Sequence, residues 1–272
     1  MIAAADLALS RRLERAEGHA CAMFAEARRR LFPESGAEWL EVGGAYACFS
    51  GVDSPVTQSF GLGIFESLDA AALDAAERFF FKRGTAAVHE MSPLAGVEAL
   101  GLLGERGYRP VEVSSVMYRA ADGSLAETVA DVDVRVAVGA SDAAVWADVM
   151  ARGWMAEYPE FREMLMKNGA IGVACEGNVP FLAGTGGKAS AAATLCIHEG
   201  VALLAGAATV PEMRRRGLQT ALIAARIRYA FEHGCDLVMM VASPGSNSQR
   251  NGERNGFRVA YTRTKWRHER TA

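Results

Sequence analysis

The sequence predicts an α/β protein made of two halves that share one plan, and two observations carry this. The stretch from Val201 to Val210 is an apolar run of strand length. It passes at once into the basic segment Pro211-Glu212-Met213-Arg214-Arg215-Arg216-Gly217 and then into a helical pattern through Leu222, Ile223, Ala225, Arg226, Tyr229 and Ala230. The chain also matches itself. Phe79-Phe80-Phe81-Lys82-Arg83-Gly84 aligns with Tyr229-Ala230-Phe231-Glu232-His233-Gly234, and Ser92-Pro93 with Ser243-Pro244. Glu105-Arg106-Gly107-Tyr108-Arg109 aligns with Glu253-Arg254-Asn255-Gly256-Phe257-Arg258 with one residue inserted, and the anchors Gly84, Ser92 and Gly107 match at offsets of 150, 151 and 149 residues. That period is too long for a solenoid and fits an internal duplication.

The elements follow in order. Residues from about Asp6 to Leu31 carry a helical pattern, with Arg28-Arg29-Arg30 near its C-terminus, where cations suit the helix dipole. Each half then reads as strand, helix closed by a glycine, strand, Ser-Pro, short helix, Gly-aromatic, strand. Gly84 and Gly234 are the expected left-handed helix stops. Val111, Val113, Ser115 and Met117 alternate along one strand, and Val238-Met239-Met240-Val241 reads as a buried one. The small, polar stretch from Ala120 to Thr128 lacks periodicity and is the expected linker. The division is therefore residues 1–120, a linker at 121–132, and residues 133–272.

Composition narrows the class. At 272 residues the chain suits two domains of about 130 residues each. Half of the residues are hydrophobic, which excludes wholesale disorder. A net charge of −3 argues against a general nucleic-acid binder. Cys21, Cys48, Cys175, Cys196 and Cys235 have no metal-ligand spacing and sit mostly in apolar runs, as reduced core residues of a cytoplasmic protein do. No apolar run is long enough to cross a bilayer and no signal-peptide pattern opens the chain.

Strand, basic glycine loop and helix start together make a site for a phosphate-bearing cofactor. The helix start presents unpaired N–H groups and the positive end of a dipole, arginines add charge, and Gly217 lets backbone approach the ligand. The first half differs at the matching place, where Glu66-Ser67-Leu68-Asp69 carries carboxylates and no arginine. A phosphate would be repelled there.

The segment Thr209 to Leu222 resembles motif A of the GNAT-type N-acetyltransferases, with Arg214, Arg215-Arg216, Gly217, Leu218 and Gln219 in its pattern. Gln219 stands where the family has Gly or Ala. Ser243 to Phe257 resembles motif B, ending on Gly256-Phe257. The match spans about Val134 to Trp266, and the first half resembles a degenerate copy. The resemblance implies two GNAT-like domains, each a mixed, mostly antiparallel central sheet flanked by helices. It implies acetyl-CoA as co-substrate and transfer of its acetyl group to the amine of a small molecule. It also implies that Thr209 sits at a β-bulge facing the pantetheine arm, and that Arg214 together with the amides of Arg215, Gly217, Gln219 and Thr220 meets the pyrophosphate. Ser248 and Asn251 fall where motif B faces the sulfur in relatives. Ser248 is thus either a weak proton donor or water-orienting group, or the N-cap of a short helix.

Two departures from the family bear on mechanism. Gly252 and Gly245 stand where relatives often carry a tyrosine acid and an asparagine, and the strand Val201 to Ala208 lacks an ionisable group where relatives often place a base. A catalytically inactive, CoA-binding regulatory module is the rival reading. Tyr261 is either a second donor or sheet packing. Trp154, Glu157 and Tyr158 fall where relatives line the acceptor cleft, and Glu157 either holds a cationic amine there or belongs to a solvated helix face. His198-Glu199-Gly200 reads as a surface turn, and Gly184-Thr185-Gly186-Gly187-Lys188 as a hairpin rather than a nucleotide loop, because Leu182 and Ala189 break that motif. No metal is expected, nor a nucleic-acid or membrane partner. A homodimer is compatible with the sequence.

Overall fold

The computed structural model describes residues 6–52, 54–122, 131–155, 159 and 162–269. The middle of the expected linker, 123–130, and the candidates Glu157 and Tyr158 lie outside the described residues. The chain forms two compact units. One holds the residues up to Met117 with Val241–Gln249 and the residues from Val259 on; the other holds Tyr118–Met240 and Arg250–Arg258.

The first unit opens with helix α1 (Leu7–Leu31), whose first turn is capped by the Asp6 carboxylate accepting from the Leu9 amide at 2.9 Å. Strands β1 (Glu38–Val42), β2 (Ala45–Phe49) and β3 (Gln58–Phe60) lead to helix α2 (Ala70–Phe81). Strand β4 (Ala87–Met91), helix α3 (Val97–Glu105) and strand β5 (Arg109–Ala120) follow. The α2 helix stops as the sequence predicts: Gly84 adopts φ 71° and its amide returns to Phe81 O. Its sheet runs β1-β2-β3-β4 and then takes in the last strand of the whole chain, β11 (Arg258–His268), before β5. β11 lies antiparallel to β4, with Thr264 opposite Met91 and His268 opposite Ala87.

β11 carries charge into the core of this unit. The Tyr261 hydroxyl donates to Glu14 Oε1 at 2.8 Å. Arg263 donates to both oxygens of Glu17, at 2.8 and 3.0 Å, and its Nε lies 3.0 Å from Glu90 Oε2. Glu14 and Arg263 are almost wholly buried. Burial pushes the Glu14 carboxyl up to about 7 against the pull of Arg263.

The second unit contains strand β6 (Asp133–Val136), helices α4 (Gly139–Met155) and α5 (Arg162–Ala174), and the antiparallel strands β7 (Asn178–Thr185), β8 (Lys188–His198) and β9 (Val201–Thr209). Helix α6 (Leu218–Glu232), strand β10 (Leu237–Ala242) and helix α7 (Asn247–Arg254) complete the chain's element list. Its sheet order is β10-β9-β8-β7-β6; the β9–β10 pair is parallel and the others antiparallel. Both expected hairpins are present. Gly186 and Gly187 (φ 58° and 76°) turn β7 into β8, and Glu199 and Gly200 (φ 45° and 75°) turn β8 into β9, as two-residue loops with positive φ require.

The core of the second unit is built from Trp146, Val149 and Met150 of α4 packed on Leu182, Ala192, Ala208 and Val210. Contact is close where Gly153 meets β9. A Cβ there would lie 2.6 Å from Ala208 Cβ and 3.1 Å from the Thr209 amide. All five cysteines are free thiols. Among the described residues no helix is long and apolar enough to cross a membrane, and no group of residues could hold a metal ion.

Candidate functional site

The site grows from the end of β9. The parallel ladder between β9 and β10 covers Val201 to Leu203 against Leu237 to Met239 and stops there, although β9 continues to Thr209. Among the described residues, β9 from Leu204 onward has no ladder partner on the β10 side. On its other side β9 pairs with β8, and here the register slips: Ala207 faces Ala193 while Ala205 faces Thr194, so Gly206 is the extra residue of a β-bulge. The bulge therefore falls at Gly206 and not at Thr209 as expected. Gly206 accepts it because the backbone there has φ +33°, which disfavours a side chain.

Thr209 closes the strand nearby. Its hydroxyl accepts from Gln219 Nε2 at 2.8 Å, and its carbonyl accepts from Arg214 Nε at 3.3 Å. Arg214 also donates to Gly153 O at 3.0 Å. Thr209, Arg214 and Gln219 are thus brought together, with Arg214 tying the loop to α4.

The loop itself is shaped to leave amides unused. A short turn at Pro211–Met213 leads to Arg215, whose φ of 63° is rare for a side-chain-bearing residue, and to Gly217, left-handed at φ 79°. Gly217 caps α6 and no side chain does. Among the described residues, the backbone N–H groups of Arg215, Arg216, Gly217, Leu218, Gln219 and Thr220 donate to nothing; the first amide to close a bond is that of Ala221, to Gly217 O. Free amides at a helix start, with exposed Arg215 and Arg216 beside them, are groups whose chemistry suits an anion.

The matching place in the first unit is built otherwise. Asp69 caps α2, its carboxylate accepting from the Ala72 amide at 2.8 Å. Phe65 fills the loop so tightly that a Cβ at Gly61 would lie 2.5 Å from its ring, while Arg11 Nε donates to Ile64 O at 2.6 Å. The helix start that could hold an anion already holds its own carboxylate.

Residues 149–257 match the model of the acetyltransferase (GNAT) family. That segment takes in β9, the basic loop and α6. Among solved structures, the chain resembles a GCN5-related N-acetyltransferase from Kribbella flavida, at 18% identity and a TM-score of 0.66, covering 92% of this chain and 96% of that one. It also resembles a tandem GNAT protein from the clavulanic acid biosynthesis pathway, at 13% identity and a TM-score of 0.60, over 99% and 97% of the two chains. A GCN5-related N-acetyltransferase from Sphaerobacter thermophilus gives 16% identity and a TM-score of 0.58, over 93% and 91%. These likenesses carry the fold, and the tandem GNAT arrangement read from the sequence stands. No curated protein matches the chain.

The remaining candidates of the GNAT segment and its surroundings are placed as follows. Ser248 is exposed on the first turn of α7, and it does not cap that helix: Ser246 Oγ accepts the Gln249 amide at 3.2 Å. Asn251 Oδ1 accepts from Arg254 at 3.2 Å. Thr220 is half-buried on the first turn of α6. Tyr261 is locked onto Glu14 in the first unit, and burial raises its hydroxyl pKa well above the ordinary value. Gly252 is buried within α7, and β9 carries no ionisable side chain. The residue the sequence did not single out for the site is Arg226. It lies on the apolar stripe of α6 with Leu222, Ile227 and Ala230 and is only 2% exposed.

Proposed function

We propose that the second half binds acetyl-CoA and moves its acetyl group to the amine of a small-molecule acceptor. The observation that carries this is the set of unused amides from Arg215 to Thr220 at the uncapped start of α6, beside Arg215 and Arg216. A pyrophosphate fits such a cradle because each oxygen finds an N–H donor, the helix dipole favours its charge, and arginine adds bidentate contacts. Thr209, Arg214, Gln219 and Thr220 shape the rim, and Asn251 adds an amide. The free edge of β9 beyond Leu204 suits the amides of an extended pantetheine arm.

The thioester supplies the acetyl group. The free-base amine nitrogen attacks its carbonyl carbon, the carbon–sulfur bond breaks, the electron pair leaves with sulfur as a thiolate, and the proton lost from nitrogen passes through water to the thiolate or to solvent. A thiol with an ordinary pKa of about 8.5 is a tolerable leaving group near neutral pH. The chain's contribution is therefore mainly positioning, which can supply much of the barrier reduction. Ser248 is the candidate for orienting a water or donating weakly to the thiolate. The first half, with Asp69 already on its helix start, serves as a degenerate copy. The division at 120 and 133 follows the duplication, and the protein acts in the cytoplasm.

A second reading is favoured by specific residues. Gly252 and Gly245 stand in place of the family's frequent acid and asparagine, and β9 offers no base. On that reading the site senses CoA without turnover. Release of free thiol from acetyl-CoA over a panel of small amines separates the two: release above the amine-free rate supports the transferase, and tight binding with no release over the whole panel supports the sensor.

A further inference from the structure

Arg226 is among the largest fully buried side chains in the protein, yet no carboxylate faces it among the described residues. Its partners are carbonyls. Nε donates to Leu222 O at 3.1 Å on its own helix. Nη1 donates to Thr194 O at 2.9 Å and reaches Ala205 O at 3.4 Å. Thr194 and Ala205 are the pair at which the β8–β9 register slips around Gly206. The carbonyl before the slip, Ala193 O, accepts from the indole Nε1 of Trp146 at 3.0 Å. The carbonyls around the bulge are thus met by side chains from two helices. The other titratable group acting on Arg226 is the Cys196 thiol of β8, which burial pushes up to about 12 and so keeps neutral. Burial draws the guanidinium down to about 9, and it stays charged near neutral pH.

Resting on the acetyl-CoA reading above, we propose that Arg226 is a positioning residue for the acyl-donor arm, holding the Gly206 bulge in place so that the free edge of β9 presents its backbone to pantetheine. A bulge shifts strand register by one residue, and without a partner for its carbonyls a regular ladder competes with it. A slip to the regular register would turn over every residue from Ala207 to Thr209. The fixed charge is retained because a fork of donors meets several carbonyls at once, which no apolar residue of that size does.

The test is calorimetric binding of two probes to the full chain: acetyl-CoA, and 3′-phospho-ADP, which keeps the phosphates and lacks the arm. Arg226→Met should weaken acetyl-CoA about tenfold for each carbonyl left bare, and leave 3′-phospho-ADP within about twofold. Arg226→Lys should recover part of the loss. Combined with Gly206→Ala, which strains the same bulge, the effects should be non-additive. Equal loss of both probes, or no loss of either, overturns the proposal while leaving the acetyl-CoA reading intact. Wild-type protein that binds neither probe overturns that reading, and this proposal with it. Should Arg226→Met fail to fold, Arg226→Lys alone decides by the same comparison: a selective loss of acetyl-CoA supports the role, and an equal loss or none refutes it.

Discussion

Replacing Glu14 by glutamine should make the first unit more stable above neutral pH and leave it nearly unchanged in mild acid. The Glu14 carboxyl is wholly buried and its pKa is raised from 4.5 to about 7, chiefly by burial, with Arg263 pulling it down and Glu17 and Glu90 pushing it up. A carboxyl raised on folding keeps its proton in the native state over a range where the unfolded chain has released it. Its stabilising contribution is complete below about 4.5 and is lost as pH rises to about 7. A rise of that size corresponds to about 3 kcal/mol. Glutamine mimics the protonated form at every pH, and its amide oxygen still accepts from Tyr261. His89 works the other way: burial holds its pKa down at about 3, so its contribution is present above 6.5 and lost as pH falls. The two trends partly cancel in the wild type, so the difference between Glu14→Gln and wild type isolates Glu14. Denaturant midpoints at pH 5 and pH 8, converted with a common m-value, give that difference. The variant should gain stability over wild type by up to about 3 kcal/mol between these pH values. A difference that stays constant with pH, or a variant less stable at pH 8, refutes the assignment of a neutral, buried Glu14.

Other outcomes follow from single residues. Gly217→Val places a β-branched side chain at φ 79°; it should cost about 1–2 kcal/mol in denaturant stability and abolish binding of acetyl-CoA in calorimetry. His89→Asn keeps a neutral group between Ser59 and Tyr108, and its denaturant midpoint should fall less steeply than that of wild type as pH drops below 6.5. Gly153→Val would drive α4 off β9, because even a Cβ meets Ala208 at 2.6 Å; a melting-temperature loss equivalent to about 1–3 kcal/mol is expected, with acetyl-CoA affinity falling as Thr209 shifts.

Much of this was legible in the residues, for reasons that can be named. Gly186-Gly187 and Glu199-Gly200 mark hairpins because only tight turns require successive positive φ, and Gly84 and Gly234 mark helix ends for the same reason. Arg214 to Gly217 marks the loop proposed to hold the pyrophosphate because charge, glycine and a helix start coincide in one short segment. The bulge was misplaced at Thr209, although Gly206, an isolated glycine inside an apolar strand, was the signal for it. Arg226 gave a fainter signal: an arginine on the same helical stripe as Leu222, Ile227 and Ala230 has to be buried with the stripe. The pairing of β11 with β4 had no signal at all, since alternation along Arg258 to His268 fixes which side chains face inward and not which strand lies alongside. The same holds for Arg263 meeting Glu14 across about 250 residues of sequence.

The most direct test of the central claim is calorimetric titration of the full chain with acetyl-CoA, run beside Gly217→Val. One saturable site is expected in the wild type and none in the variant, with the variant still folded by thermal melting. No binding by the wild type, or undiminished binding by Gly217→Val, would contradict it.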